Sequence, residues 1–233
     1  MVKQLNLAAL TRSPTAIGAL LVNLLPVGGI LFFGWSLSAL VVLYWLENLV
    51  IGLVNIGRIL ASGAAHGPVG IGGGLFLAAF FTLHYGAFCF GHGVFVAGLF
   101  GQDLGMLGPD NRIDLITLAE GALNAAPGLA GVLAAIAFWK LALFVFTFLL
   151  NGAYRTTGPH LEMGRPYGRI MFLHISIFAG AFALAAFGSP IWGVVILALG
   201  KTAYDVVMEL REQAKLQEAR KKLTQPKASA PSR

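Results

Sequence analysis

Six apolar runs divide this chain, falling at 15–34, 37–59, 74–100, 127–150, 168–188 and 190–210. A helix needs roughly 20 apolar residues to cross a hydrocarbon core about 30 Å thick, so each run predicts a membrane-spanning helix. The breaks between runs are short. Gly34-Trp35-Ser36 separates the first two and Gly188-Ser189-Pro190 the last two, and glycine and proline are the residues that stop helices. The pattern predicts an all-α membrane protein: a six-span transmembrane helical bundle over 15–212, a short segment before it (1–14) and a polar tail after it (213–233).

Charge fixes the expected orientation. Lys3 and Arg12, then Arg58, then Arg155, Arg165 and Arg169, then the tail all fall on one side of the six runs. The connection between the third and fourth runs instead carries Asp103, Asp110, Asp114 and Glu120 against Arg112. Basic residues mark the cytoplasmic side, which puts both termini there. Within the acidic connection, Ile113–Leu123 has apolar residues at helical spacing and predicts a short helix, either along the interface or packed on the bundle.

Composition agrees. The chain is 57% hydrophobic and 11% charged, with mean hydropathy +0.78, against about 25% charged in soluble domains. Its net charge of +6 does not imply nucleic acid. The stretch 215–233 alone holds Lys215, Arg220, Lys221, Lys222, Lys227 and Arg233 against Glu218. Next to a span, such a tail meets anionic headgroups, so lipids are the expected partners and nucleic acid is not. Beyond Thr224 the tail is small and polar, which predicts disorder. Cys89 is the single cysteine, which excludes an internal disulfide and a thiolate metal cage. The first run has no small-residue cleavage site and reads as a retained span.

Ionisable residues inside spans cost a few kcal/mol on the most lenient scale, so they face a bundle interior or a watery cavity. Here they are Glu47, His84, His92, Lys140, His174, Lys201 and Asp205. Counting about 1.5 Å per residue puts His84, His174 and Asp205 at about 12, 8 and 9 Å from the inner boundary. Glu47, Lys140 and Lys201 come out deeper, near 18 Å by the same rise. Lys201 and Asp205, at i and i+4, can pair along one face, and Lys140 can neutralise Glu47 from a neighbouring helix.

Four readings are open. In a metal-dependent intramembrane hydrolase acting on lipid, His84, His174 and Asp205 would hold zinc or iron and leave a position for water. Glu47, His92 and Lys201 would then be the catalytic groups, as base, proton shuttle and substrate-charge neutraliser, and Arg165 and Arg169 would grip a lipid phosphate. A b-type haem protein would use paired histidines, with Gly86, Gly91 and Gly93 admitting the ring. An ion- or proton-coupled transporter would use Asp, Glu and His as a relay, and its six spans would call for a homo-oligomer. In a structural or partner-binding protein, the same groups would hydrogen-bond helices together. Gly70–Gly74 lacks a preceding strand and a following Lys-Ser/Thr, so it is no phosphate loop; it predicts a flexible entry to the third span. Asn151 predicts a cap on the fourth.

The segments Tyr44-Trp45-Leu46-Glu47-Asn48, His84-Tyr85-Gly86-Ala87-Phe88 through His92-Gly93, Pro166-Tyr167-Gly168-Arg169-Ile170 through His174, and Lys201 through Asp205 carry a resemblance. On them the chain resembles a bacterial family of multi-pass membrane proteins known as domain of unknown function 6498. The resemblance spans roughly 15–210. It implies a bacterial cytoplasmic membrane location and no particular activity. In its ingredients alone the chain is also similar to alkaline ceramidase-like hydrolases, which build zinc sites from His and Asp across spans; it lacks their local spacings and has six runs rather than seven.

Overall fold

The computed structural model describes residues 14–104, 110, 115–171, 199–211 and 214. Among these residues there is no strand. Helix α1 (Pro14–Phe33) leads into α2 (Leu37–Ala64), α3 (Gly67–Leu104), the short α4 (Leu115–Leu123) and α5 (Leu129–Ala142). A π-helical stretch, Leu143–Leu150, extends α5, and a 3₁₀ turn, Ala153–Thr156, follows. Helices α6 (159–171) and α7 (199–211) complete the described part.

Local chemistry sets the ends. Gly34, at φ 66°, turns the chain out of α1, a left-handed conformation that costs glycine little. Ser36 then caps α2, its hydroxyl accepting from the Ala39 N–H at 3.2 Å, which satisfies one orphan amide of the first turn.

Helix α2 is the axis of the bundle. Every residue from Ala39 to Leu46 is buried, and a helix apolar on all sides must be enclosed by others. Helix α3 packs along it, α5 crosses it, and α1 lies against α5. The outer helices turn Leu31, Phe32, Phe76, Leu83, Phe138 and Phe146 outward, as lipid contact requires. Four stretches are long and apolar enough to cross a membrane: Pro14–Phe33, Ser38–Ala64, Gly67–Gly98 and Leu129–Leu150. Those four match the first four expected spans. Most of the fifth run and the first part of the sixth fall on 172–198, outside the described residues.

Some boundaries move. The second span continues to Ala64 and the third starts at Gly67, so the glycine run at 70–74 is helical and not a flexible entry. Its purpose is close approach. A Cβ on Gly63 would stand 2.6 Å from the Gly70 carbonyl oxygen and 2.9 Å from Gly74 Cα. Glycines four apart on α3 thus let two backbones touch, the small-xxx-small arrangement of membrane helices. The approach to the fifth span is also helical, from 159 onward and through Pro166. Helix α4 packs rather than floats, because Leu118 and Ala122 are buried in the cluster that holds Trp45 and Val96. Asn151 caps the π-helical stretch, its N–H bonded to the Phe146 carbonyl at 3.2 Å.

Candidate functional site

Five charged side chains from four helices meet inside the bundle. Glu47, on α2, is fully buried. Its Oε2 stands 2.7 Å from Arg169 Nη2 (α6) and 2.9 Å from Lys201 Nζ (α7). Asp205, one turn past Lys201, receives Lys201 Nζ at 3.1 Å and Arg169 Nη1 at 3.4 Å. Lys140 (α5) closes the set, 3.9 Å from Glu47 Oε1. Lys201 also donates to Asn23 Oδ1 from α1 and lies 5.1 Å from the Tyr44 ring centre. Buried charges survive only when paired, and here each carboxylate meets at least two cations.

The contacts are close but not all directional. Both Glu47 oxygens, Arg169 Nη2 and the Tyr44 hydroxyl make no hydrogen bond among the described residues. Charge matching, more than hydrogen-bond geometry, holds this centre together.

A second cluster sits farther along α2. Arg58 Nε is 2.7 Å from Glu162 Oε2, and its guanidinium lies over the Phe148 ring at 3.9 Å. Thr157 donates to Glu162 Oε1 at 2.9 Å, Arg165 Nη1 approaches it at 3.3 Å, and Asn55 bonds the Glu162 carbonyl at 3.1 Å. Burial alone would raise the Glu162 carboxyl, but Arg58 and Arg165 outweigh it and hold it below the usual carboxylate range.

Eleven residues separate Glu47 from Arg58, roughly 16 Å along the helix axis. A cleft of about 170 Å³ joins the two clusters. Ile51, Val54, Asn55 and Arg58 form one wall, and Lys140, Leu143, Phe144 and Thr147 another. Arg165, Pro166 and Arg169, with Tyr204, Asp205, Met208 and Glu209, complete it. Beyond Lys140 the second wall is the π-helical stretch, a form that recurs at functional sites because it shifts side chains off the α-helical register. The lining is mixed: four cations, two carboxylates, three small polar groups and an apolar remainder.

Several sequence-predicted residues meet here. Glu47, Lys201, Asp205 and Arg169 share the buried network, the Lys201–Asp205 and Lys140–Glu47 pairs form as expected, and Arg165 lines the cleft. The depth reckoning put Glu47 well above Asp205; long Lys and Arg side chains bring the two carboxylates onto shared cations instead.

His84 and His92 stand elsewhere. His84 is exposed, stacked on Phe80, with Nδ1 2.8 Å from the Tyr167 hydroxyl. Tyr167 and Arg169 are two residues apart on α6, about 200° around the helix, so His84 and the ion network lie on opposite faces. His92 packs against Phe88, ring centres 5.3 Å apart, and does not line the cleft. His174 lies outside the described residues. Among the described residues no group of three or more His, Cys, Asp or Glu is placed to hold a metal ion. Asp205, an expected ligand, is engaged by Arg169 and Lys201.

Sequence reasoning passed over Asn23 and Glu162. Asn23 is a lone amide in the first apolar run, and a polar group there needs a partner; that signal was available. Glu162 sits outside the runs among basic neighbours, where no pattern marks it.

A family model described as "Family of unknown function (DUF6498)" matches residues 6–222. No curated protein and no solved structure matches the chain.

Proposed function

The chain belongs to the DUF6498 family, and we propose that it is a six-span membrane protein whose cleft binds an anionic amphiphile. Both termini are taken as cytoplasmic. Arg58, Arg155 and Arg165 gather where α2, the π-helical stretch and the 3₁₀ turn end, which supports a basic cytoplasmic end. The cleft runs inward from that end to the buried network.

One observation carries this reading. Arg58, Lys140, Arg165 and Arg169 line a single cleft whose other walls include Ile51, Val54, Leu143, Phe144 and Met208. Guanidinium and ammonium groups recognise phosphate and carboxylate oxygens. Apolar walls accept a hydrocarbon chain. Together they suit a lipid headgroup with part of its tail. The carboxylates that would act as acid or base are held in ion pairs, which favours binding over catalysis.

Lipid extraction followed by mass spectrometry of protein purified in neutral detergent tests the reading. Anionic lipid retained in clear excess over zwitterionic lipid supports it. Equal retention of both would discard it.

A further inference from the structure

We infer that the cleft takes a ligand carrying one negative charge, and that Lys140 is the residue that receives it; this rests on the anionic-amphiphile reading above. The premise is a charge count. Lining the cleft or paired directly to its lining are five cations, Arg58, Lys140, Arg165, Arg169 and Lys201. Against them stand four carboxylates, Glu47, Glu162, Asp205 and Glu209. Among the described residues one positive charge is left over. Residues 172–198 contain no Asp, Glu, Lys or Arg, so that part of the chain cannot supply the missing anion.

The excess can be located. At the outer end, Arg58 and Arg165 both meet Glu162, and Glu209 also lines the cleft. At the inner end, Arg169, Lys201 and Lys140 share Glu47 and Asp205. Arg169 and Lys201 approach both carboxylates and are buried. Among the described residues the one carboxylate within ion-pair distance of Lys140 is Glu47, at 3.9 Å, and the Lys140 side chain is 23% exposed. It is the cation least committed to the network, and it faces the cleft. An uncompensated charge at low dielectric is costly, so a monoanion on Lys140 completes the balance, whereas a dianion overshoots it. A phosphodiester or a fatty carboxylate has the right charge; a phosphomonoester, at about −1.5 to −2 near pH 7, has too much.

The full chain in neutral detergent micelles is titrated with a diacyl phosphodiester lipid, a fatty acid, a diacyl phosphomonoester lipid and a choline lipid. Dimethyl phosphate serves as a tail-free, water-soluble monoanion. At about pH 8, where the phosphomonoester is close to doubly charged, the monoanionic lipids are expected to bind roughly tenfold or more tightly than the phosphomonoester, about 1.4 kcal/mol. Lys140→Gln is expected to abolish that preference and Lys140→Arg to keep it. Preferred binding of the phosphomonoester, or unchanged monoanion affinity in a folded Lys140→Gln protein, overturns the inference while leaving an anion-binding cleft intact. Failure of every anionic lipid to bind the wild type removes both readings. Dimethyl phosphate binding as tightly as the lipids removes the amphiphile and leaves the monoanion. The wild-type comparison needs no variant, so it decides the matter even if Lys140→Gln does not fold.

Discussion

Arg169 Nη2 stands 2.7 Å from Glu47 Oε2, and Nη1 of the same guanidinium is 3.4 Å from both oxygens of Asp205. One side chain from α6 therefore binds α2 to α7 through two carboxylates. A forked group suits this, because a guanidinium offers donors at two ends of a rigid plane. Lys201 repeats the bridge from the other side, so the four groups form a closed ring of alternating charge. Helices with little hydrophobic reason to associate inside lipid are thereby tied at one level.

Removing Arg169 leaves two buried carboxylates sharing Lys201, with Lys140 at a distance. Breaking a buried pair by deleting one partner costs about 3–5 kcal/mol. Arg169→Ala is expected to lose most of its folded yield or to melt far below wild type in detergent. Arg169→Lys, which keeps the charge and loses the fork, should fall between. Thermal unfolding followed by size exclusion measures both. Wild-type stability in Arg169→Ala would show that the ring is not what joins α2 to α7.

Glu162 makes a pH-dependent contribution with a definite sign. Arg58 and Arg165 hold its folded carboxyl below the ordinary value, so the folded state favours the ionised form. Its stabilisation is full above the unfolded value, near 4.3 for glutamate, and fades as pH drops through the folded one. Wild type should therefore melt above Glu162→Gln by a constant margin from about pH 8 to about pH 5. The margin should shrink as pH falls further and the folded carboxyl takes up its proton, leaving a neutral group in both proteins. Melting curves across that range give the answer; a margin independent of pH would mean that the ion pairs add nothing.

Much of this was legible in the residues, for reasons that differ from place to place. The first four spans follow from apolar length, because lipid leaves a helix no other way to satisfy its backbone. The Lys201–Asp205 pair follows from i,i+4 spacing. Arg169 was read as a headgroup clamp and not as a buried bridge, since its place in the sequence, just inside the expected boundary of a span, suits either. Depth reckoning failed for Glu47 and Asp205 because it tracks Cα positions, while Lys and Arg side chains bridge the several ångströms between levels. His84 misled because equal depth says nothing about direction: it faces away from the network, toward Tyr167.

Gly70 and Gly74 offer a test of packing free of electrostatics. Gly63 has its nearest neighbours in their backbones, which cannot swing aside as a side chain can. Gly63→Val should force α2 and α3 apart and destabilise by about 1–3 kcal/mol, the usual cost of overpacking. Gly72→Ala, where an added Cβ meets nothing within 4 Å, should be neutral or slightly stabilising, since alanine favours helix over glycine. Comparing the two melting temperatures separates crowding from propensity; equal effects would contradict the close approach.

The last prediction concerns His84 and metal. The described structure gives Nδ1 one partner, the Tyr167 hydroxyl, at 2.8 Å, and leaves the ring exposed. Losing a neutral hydrogen bond of this kind costs about 0.5–1.5 kcal/mol. A structural zinc or iron ligand would cost far more, because metal binding free energy is then folding free energy. His84→Ala should consequently melt within a few degrees of wild type, and a strong chelator should leave the wild-type melting curve in place. Asp205→Asn should behave differently, since it removes an anion from between Arg169 and Lys201 and leaves buried positive charge poorly matched. Near-equal losses in His84→Ala and Asp205→Asn, both mimicked by chelation and accompanied by about one metal ion per chain, would restore the metal-site reading.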